Sequence, residues 1–163
     1  MNNYVEKLYG LFLEQRKIST DSRNISSGDI FFALKGDSFN GNVFALDALK
    51  QGAKLVDDLA LKDKEGCVYV PNVLLALQQL ANYHRKQLQI PVIGITGSNG
   101  KTTTKELLAC VLQTKFRVFA TKGNLNNHIG VPLSVLSITN DVEVAIIEMG
   151  ANNIGEIELL ASI

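Results

Sequence analysis

The sequence lacks an excess of charge of either sign: sixteen Lys and Arg stand against sixteen Asp and Glu in 163 residues. That balance argues against nucleic acid or an anionic membrane as the main partner, and leaves local binding of an anion open. Cysteine is scarce. Cys67 and Cys110 lie far apart, form no C-x-x-C pair and have no His nearby at ligand spacing. They read as two buried, reduced thiols of a cytosolic protein, with no disulfide framework and no zinc motif. A long apolar run is missing from the N-terminus, where Glu6 and Glu14 interrupt the apolar residues, so a signal peptide and a membrane anchor are not expected there. Repeats and low-complexity stretches are absent. What remains is an ordinary globular composition, 46% hydrophobic and 20% charged. The length suits one large domain or two small ones.

Apolar periodicity places a first helix over residues 3–13, with Tyr4, Val5, Leu8, Tyr9 and Phe12 on one face. Asp29 to Leu34 reads as a buried strand. The stretch from Gly36 to Asn42 reads as a turn-rich loop. A helix carrying Phe44, Ala45, Ala48 and Leu49 should end near Gly52, and a strand should begin at Leu55. Residues 57–66 are highly charged and expected to be exposed. Cys67 to Val70 is a short strand, and Asn72 can cap a helix bearing Val73, Leu77, Leu80 and Leu88.

The pattern changes near residue 90, and a domain boundary is placed at about residue 88. Beyond it, Ile90 to Ile95 is an apolar strand. A Gly-rich turn follows, then a helix with Leu107, Leu108, Val111 and Leu112 on one side. Phe116 to Ala120 and Val142 to Ile147 are further strands, separated by a polar loop over 121–130 and an apolar helix opened by Pro132. Continuous apolar strands alternating with helices indicate a parallel sheet covered on both faces. The fold class is therefore α/β: a small mixed N-terminal domain, residues 1–88, followed by a parallel-sheet domain, residues 89–163.

The strongest motif lies between the first strand and helix of the second domain: Gly97-Ser98-Asn99-Gly100-Lys101-Thr102-Thr103. Glycines let the backbone wrap phosphates closely, and a helix N-terminus adds its positive dipole end. Lys101 would bring a full charge to the terminal phosphates of ATP, and the Thr102 hydroxyl would bind Mg²⁺. The common G-x-x-x-x-G-K-[ST] pattern would require Gly at position 95, where this chain has Ile. Glu148 ends the last apolar strand. A carboxylate at the ligand-binding edge of such a sheet can hold Mg²⁺ directly or through water. Glu156 and Glu158 read as an exposed helical face.

Three segments together resemble the Mur ligase family. One is Thr20-Asp21-Ser22-Arg23 with Gly28 to Gly36, Asn40-Gly41-Asn42-Val43-Phe44 and Gly52-Ala53. It is similar to a UDP-binding N-terminal domain of that family, which implies that Ser22 and Arg23 contact a uridine nucleotide. Asn40-Gly41-Asn42 stands where the family usually has Asp-Gly-His. The second segment is the Gly97-x-x-Gly100-Lys101-Thr102 loop, a variant shared with folate ligases. The third is Gly123 to Leu133 with Glu148-Met149-Gly150-Ala151-Asn152. It resembles the members that take D-Ala-D-Ala as the amine, and implies that Asn126 and Asn127 hold substrate or orient the metal. His128 alone reads as structural.

The resemblance implies a cytoplasmic, monomeric, ATP- and Mg²⁺-dependent ligase of peptidoglycan synthesis, with UDP-N-acetylmuramoyl-tripeptide and D-Ala-D-Ala as substrates. It would proceed through an acyl phosphate, with Lys101 as the catalytic cation. Family members are much longer, and carry further along a metal-binding His and a carbamylated Lys. The chain is therefore expected to be a fragment, its ATPase domain incomplete, unable to ligate alone. Two alternatives stay open: another Mur or folate-type ligase, and a UDP-sugar-binding module without catalysis.

Overall fold

The computed structural model describes residues 3–15, 17–26, 28–36, 39–45 and 54–163. The expected helix beyond Ala45 falls largely outside them. The chain divides into two compact units, Met1–Leu77 and Gln78–Ile163.

The first unit opens with helix α1 (Asn3–Gln15), which buries Leu8 and Phe12. Its strands are β1 (Ile18–Ser19), β2 (Ile30–Phe32), β3 (Lys35–Gly36), β4 (Phe39–Asn40), β5 (Lys54–Val56) and β6 (Cys67–Tyr69). Four of them form a parallel sheet in the order β1-β2-β5-β6. Strand β2 is buried at every position, as a continuous apolar run in a covered parallel sheet should be. Phe31, Ala33, Ala45, Val56 and Leu61 form one apolar cluster. The expected loop over 36–42 is instead a two-stranded antiparallel hairpin, β3 with β4. Gly41 follows it because its backbone lies against the exit of β2. A Cβ there would sit 2.7 Å from the Leu34 carbonyl oxygen. Asn42 is buried and ties this turn to the end of β5, its Nδ2 donating to Asp57 Oδ1 at 2.9 Å and its Oδ1 accepting from Asp57 N–H at 3.2 Å.

Helix α2 (Val73–Gln87) is capped as expected, Asn72 Oδ1 accepting from Leu75 N–H at 2.8 Å. The expected boundary near residue 88 is at the end of this helix, whereas the compact units divide within it. The C-terminal half of α2 bonds within the second unit: His84 Nε2 meets the Ile138 carbonyl at 3.1 Å, and Asn82 Nδ2 donates to the Ser162 carbonyl at 2.6 Å.

The second unit contains β7 (Val92–Ile95), α3 (Lys101–Leu112), β8 (Val118–Ala120), α4 (Gly130–Leu136), β9 (Val144–Glu148) and α5 (Glu156–Ala161). Its sheet is parallel throughout, in the order β7-β9-β8, with β9 buried along its whole length. Register pairs Ile95 with Glu148 and Ala120 with Ile146, so the three strands end at one edge.

Three further expectations are corrected. The buried face of α3 holds Lys105 and Ala109, while Leu107 and Val111 are 65% and 66% exposed. Cys110 is exposed and Cys67 only partly buried, so neither thiol is a core residue. The reason for Cys110 is its place on the outward face of α3. Glu156 is not merely a solvated charge: its carboxylate accepts from the Asn152 and Asn153 amides at 2.7 and 3.2 Å, closing the turn before α5. Among the described residues, no helix is long and apolar enough to cross a membrane.

Candidate functional site

The Gly-rich turn leaves the end of β7 and enters α3 with two glycines in left-handed backbone. Gly97 has φ 148° and Gly100 has φ 77°, and a side chain at either would strain the turn. The first helical bond runs from Thr104 N–H to the Gly100 carbonyl at 2.8 Å. The amides of Lys101, Thr102 and Thr103 therefore lie ahead of the helical ladder, where they can meet an anion. Ser98, Asn99, Thr102 and Thr103 are exposed. Lys101 does not point away: its Nζ donates to the Gly97 carbonyl at 2.7 Å, folding back over the turn.

Glu148 stands beside this turn, 2% exposed, at the end of the central strand. Its Oε1 accepts from Asn126 Nδ2 at 2.9 Å, and its own N–H donates to the Thr121 hydroxyl at 3.0 Å. The Thr102 hydroxyl lies close enough to the carboxylate to favour its ionised form. Burial by itself would push the Glu148 carboxyl up. The hydrogen bond from Asn126, with the nearby Thr102 hydroxyl and Lys105 charge, reverses that and holds it below the ordinary carboxylate range. Glu148 is thus an anion at neutral pH. Its Oε2 is buried and has no hydrogen-bond partner. The Lys105 ammonium is 3.5 Å away, close enough for charge attraction but long for a hydrogen bond.

The structure brings together Gly97, Gly100, Lys101, Thr102, Glu148 and Asn126 at one sheet edge. Asn127 has another task. Its Oδ1 accepts from the Ile129 and Gly130 amides at 3.1 and 2.8 Å, capping α4. Asn126 is also fixed through its backbone, its carbonyl accepting from Gly150 N–H at 2.8 Å. Sequence reasoning missed two residues here, Thr121 and Lys105. Lys105 is 1% exposed and donates to the Thr121 carbonyl at 2.7 Å. The available signal was its spacing: positions 101, 105, 108, 109 and 112 share one helical face.

Magnesium takes hard oxygen ligands and keeps several waters, so a hydroxyl, one carboxylate and phosphate oxygens suffice for it. The Thr102 hydroxyl and the orphaned Glu148 Oε2 fit that donor set. Among the described residues no group of three or more His, Cys, Asp or Glu could hold a metal by itself.

Ser22 and Arg23 belong to the first unit. They sit in a one-turn 3-10 helix, Ser22–Asn24, capped by Asp21. Arg23 grips Asp21 through Nε at 2.9 Å and Nη2 at 2.8 Å. Those bonds hold the Asp21 carboxyl well below its usual range, at about 2. Thr20, Asp21, Ser22, Arg23, Phe39 and Phe44 line a cavity of about 520 Å³, in which the two Phe rings stack at 5.9 Å. A cavity of similar volume in the second unit has Gly94 and Met149 in its wall but none of the expected site residues.

A parallel sheet ending in a Gly-bracketed turn, a helix N-terminus and a buried carboxylate defines an α/β protein of the phosphate-loop class. Residues 95–163 match the Mur ligase middle domain, and residues 15–85 match the Mur ligase family catalytic domain. The chain belongs to the Mur ligase family. It is 43% identical over 148 residues to the UDP-N-acetylmuramoyl-tripeptide–D-alanyl-D-alanine ligase of Bacillus subtilis, covering 88% of this chain and 32% of that protein. Against the Synechocystis ligase of the same name it is 45% identical over 150 residues, covering 90% and 33%. The MurF ligase of Thermotoga maritima in complex with ADP superposes with a TM-score of 0.82 at 32% identity, covering 99% of this chain and 36% of that one. An Acinetobacter baumannii MurF structure gives 0.82 at 39% identity, covering 89% and 32%. The chain thus spans about a third of the length of the relatives it matches.

Proposed function

We propose that the chain serves an ATP-dependent ligase of peptidoglycan precursor synthesis, joining D-Ala-D-Ala to UDP-N-acetylmuramoyl-tripeptide in the cytoplasm. In this reading residues 1–88 take the UDP-linked substrate and residues 89–163 take the nucleotide. The observation that carries it is the buried Glu148 carboxylate at the sheet edge from which the Gly97–Thr102 turn leaves, with Lys101 folded back over that turn. The names of the relatives supply the substrates.

The chemistry begins with two anions. The terminal carboxylate of the tripeptide attacks the γ-phosphorus of ATP, giving an acyl phosphate and ADP. The amine of D-Ala-D-Ala then adds to the acyl carbon and phosphate leaves, closing the amide. Phosphorylation is needed because a carboxylate oxygen is a poor leaving group. Lys101 would move from the Gly97 carbonyl to the β- and γ-phosphates, and with the amides of 101–103 would offset charge in the transition state. Magnesium, held by Thr102 and Glu148, supplies further neutralisation of the phosphate oxygens when bound. Asn126 keeps Glu148 oriented. In the first unit, Ser22 and Arg23 would face the UDP moiety across the Phe39–Phe44 cavity.

Isothermal calorimetry on the 163-residue chain tests this. Mg-ATP and UDP-N-acetylmuramoyl-tripeptide should each bind at one site, and Lys101→Ala should lose the nucleotide while keeping the UDP ligand. Loss of charge-assisted hydrogen bonds of about 1.5–3 kcal/mol implies roughly 10- to 100-fold weaker nucleotide binding. UDP-ligand binding with no nucleotide binding would favour a sugar-nucleotide module instead.

A further inference from the structure

Lys105 is a buried charge that the proposed chemistry leaves unused. It lies one helical turn after Lys101, on the face of α3 turned to the sheet, and is 1% exposed. Lysine is almost never fully buried without paired partners, and an apolar side chain of similar volume would pack there at lower cost. Its ammonium is tethered by the Thr121 carbonyl at 2.7 Å, just past the end of β8, and faces Glu106 Oε1 at 3.1 Å and Glu148 Oε2 at 3.5 Å. Glu106 is mostly solvated, so the charge with least water around it is Glu148.

We infer that Lys105 is a positioning residue that makes cation binding at Glu148 conditional on bound nucleotide. The inference rests on the reading of Glu148 as the magnesium carboxylate. Asn126 holds one oxygen of Glu148 and the Lys105 ammonium flanks the other. The carboxylate is therefore already balanced by a fixed positive charge. A bare divalent cation reaching Oε2 would be repelled by that ammonium at close range, in a setting with little water to screen it. With Lys101 added, two ammonium groups face the one buried carboxylate, while Glu106, the other carboxylate at Lys105, is mostly solvated and screened, so the empty site favours an anion first. Phosphate oxygens then change the sign of the field and supply the additional ligands that a single carboxylate lacks. Lys105 thereby keeps free divalent ions off the site and admits the metal only with its phosphates. It also fixes Glu148 in place before the nucleotide arrives.

Electron paramagnetic resonance with Mn²⁺, a hard-oxygen cation that stands in for magnesium, tests this on the 163-residue chain without nucleotide. Wild type should show only weak Mn²⁺ binding. Lys105→Met, which keeps the side-chain volume, should bind Mn²⁺ about tenfold more tightly or better, because a close repulsive charge is gone. Lys105→Arg should stay with wild type, and the double variant Lys105→Met/Glu148→Gln should lose the gain. A merely structural lysine predicts the opposite, a loss of affinity in Lys105→Met. Circular dichroism monitors folding of each variant. A folded Lys105→Met with no gain overturns the inference. So does wild type that binds Mn²⁺ alone as tightly as it does with ADP, a result that stands even where the variant fails to fold. Mg-ADP titration of wild type separates the two readings. Nucleotide uptake together with tight Mn²⁺ binding in its absence removes this inference alone. No nucleotide uptake removes the proposed function and the inference with it.

Discussion

Two carboxylate–cation pairs in this chain look alike on paper and differ in kind. Asp21 and Arg23 are two residues apart, 2.8 Å from each other, with side chains 38% and 86% exposed. Glu148 and Lys105 come from different elements, are 3.5 Å apart, and are 3% and 1% exposed. The shorter contact is the weaker structural commitment. Water and salt screen the first pair, and its geometry is set by one turn of chain. The second has little screening, and its geometry is set by α3, the end of β8 and the end of β9 together. Distance alone would rank the pairs the wrong way.

The comparison can be broken most forcefully at Lys105. Lys105→Ala leaves Glu148 buried without its cation and should cost roughly 3–5 kcal/mol in chemical denaturation. Arg23→Ala should leave the midpoint almost unchanged. Equal effects would mean that burial does not separate the pairs. Next in size is Gly130→Ala. A Cβ at Gly130 would lie 2.4 Å from the Leu125 carbonyl carbon, a backbone atom that cannot give way like a side chain. The loop carrying Asn126 would have to shift, so a loss of about 1–3 kcal/mol is expected in the same assay. A crystal structure of that variant should show the Asn126–Glu148 bond lengthened. Asn127→Ala removes the cap of α4 and should cost about 1 kcal/mol in thermal unfolding.

Acid sharpens the contrast with the smallest effect. Both carboxyls are depressed in the folded state, Asp21 to about 2 and Glu148 in direction. A depressed folded pKa gives stability that is present above the unfolded value and lost as pH falls through the folded one. For Asp21 that window lies between the ordinary Asp value and about 2. Its contribution should vanish in 1 M salt, because an exposed pair is screened. The Glu148 contribution should survive that salt. Thermal midpoints of Asp21→Asn and Glu148→Gln against wild type, taken from pH 7 downwards at low and high salt, measure both.

What the sequence made legible follows from the same difference. The turn from Gly97 to Thr102 was readable because its signal is local, a strand, a bracketed glycine turn and a helix in consecutive residues. Glu148 was readable because it ends a continuous apolar run. Lys105 was not, because lysine reads as solvent-exposed and Leu107 and Val111, apolar but exposed, suggested another face for α3. Only the register that sets β9 between β7 and β8 brings Glu148 under that helix. Asn42 failed to show for the same reason. Its neighbours suggested a free turn, while its side chain is committed to Asp57, fifteen residues away. Asn127 was legible as polar and important in its loop, but nothing local distinguished a helix cap from a ligand contact.

The central claim is that the Gly97–Thr102 turn and Glu148 form one magnesium–nucleotide site. A crystal structure of this chain grown with Mg²⁺ and a non-hydrolysable ATP analogue tests it most directly. The account predicts phosphates against the amides of 101–103, Lys101 released from the Gly97 carbonyl, and the metal at about 2.1 Å from the Thr102 hydroxyl, with Glu148 reaching it directly or through one water. Nucleotide bound elsewhere, or a metal with Thr102 and Glu148 both outside its coordination, would contradict it.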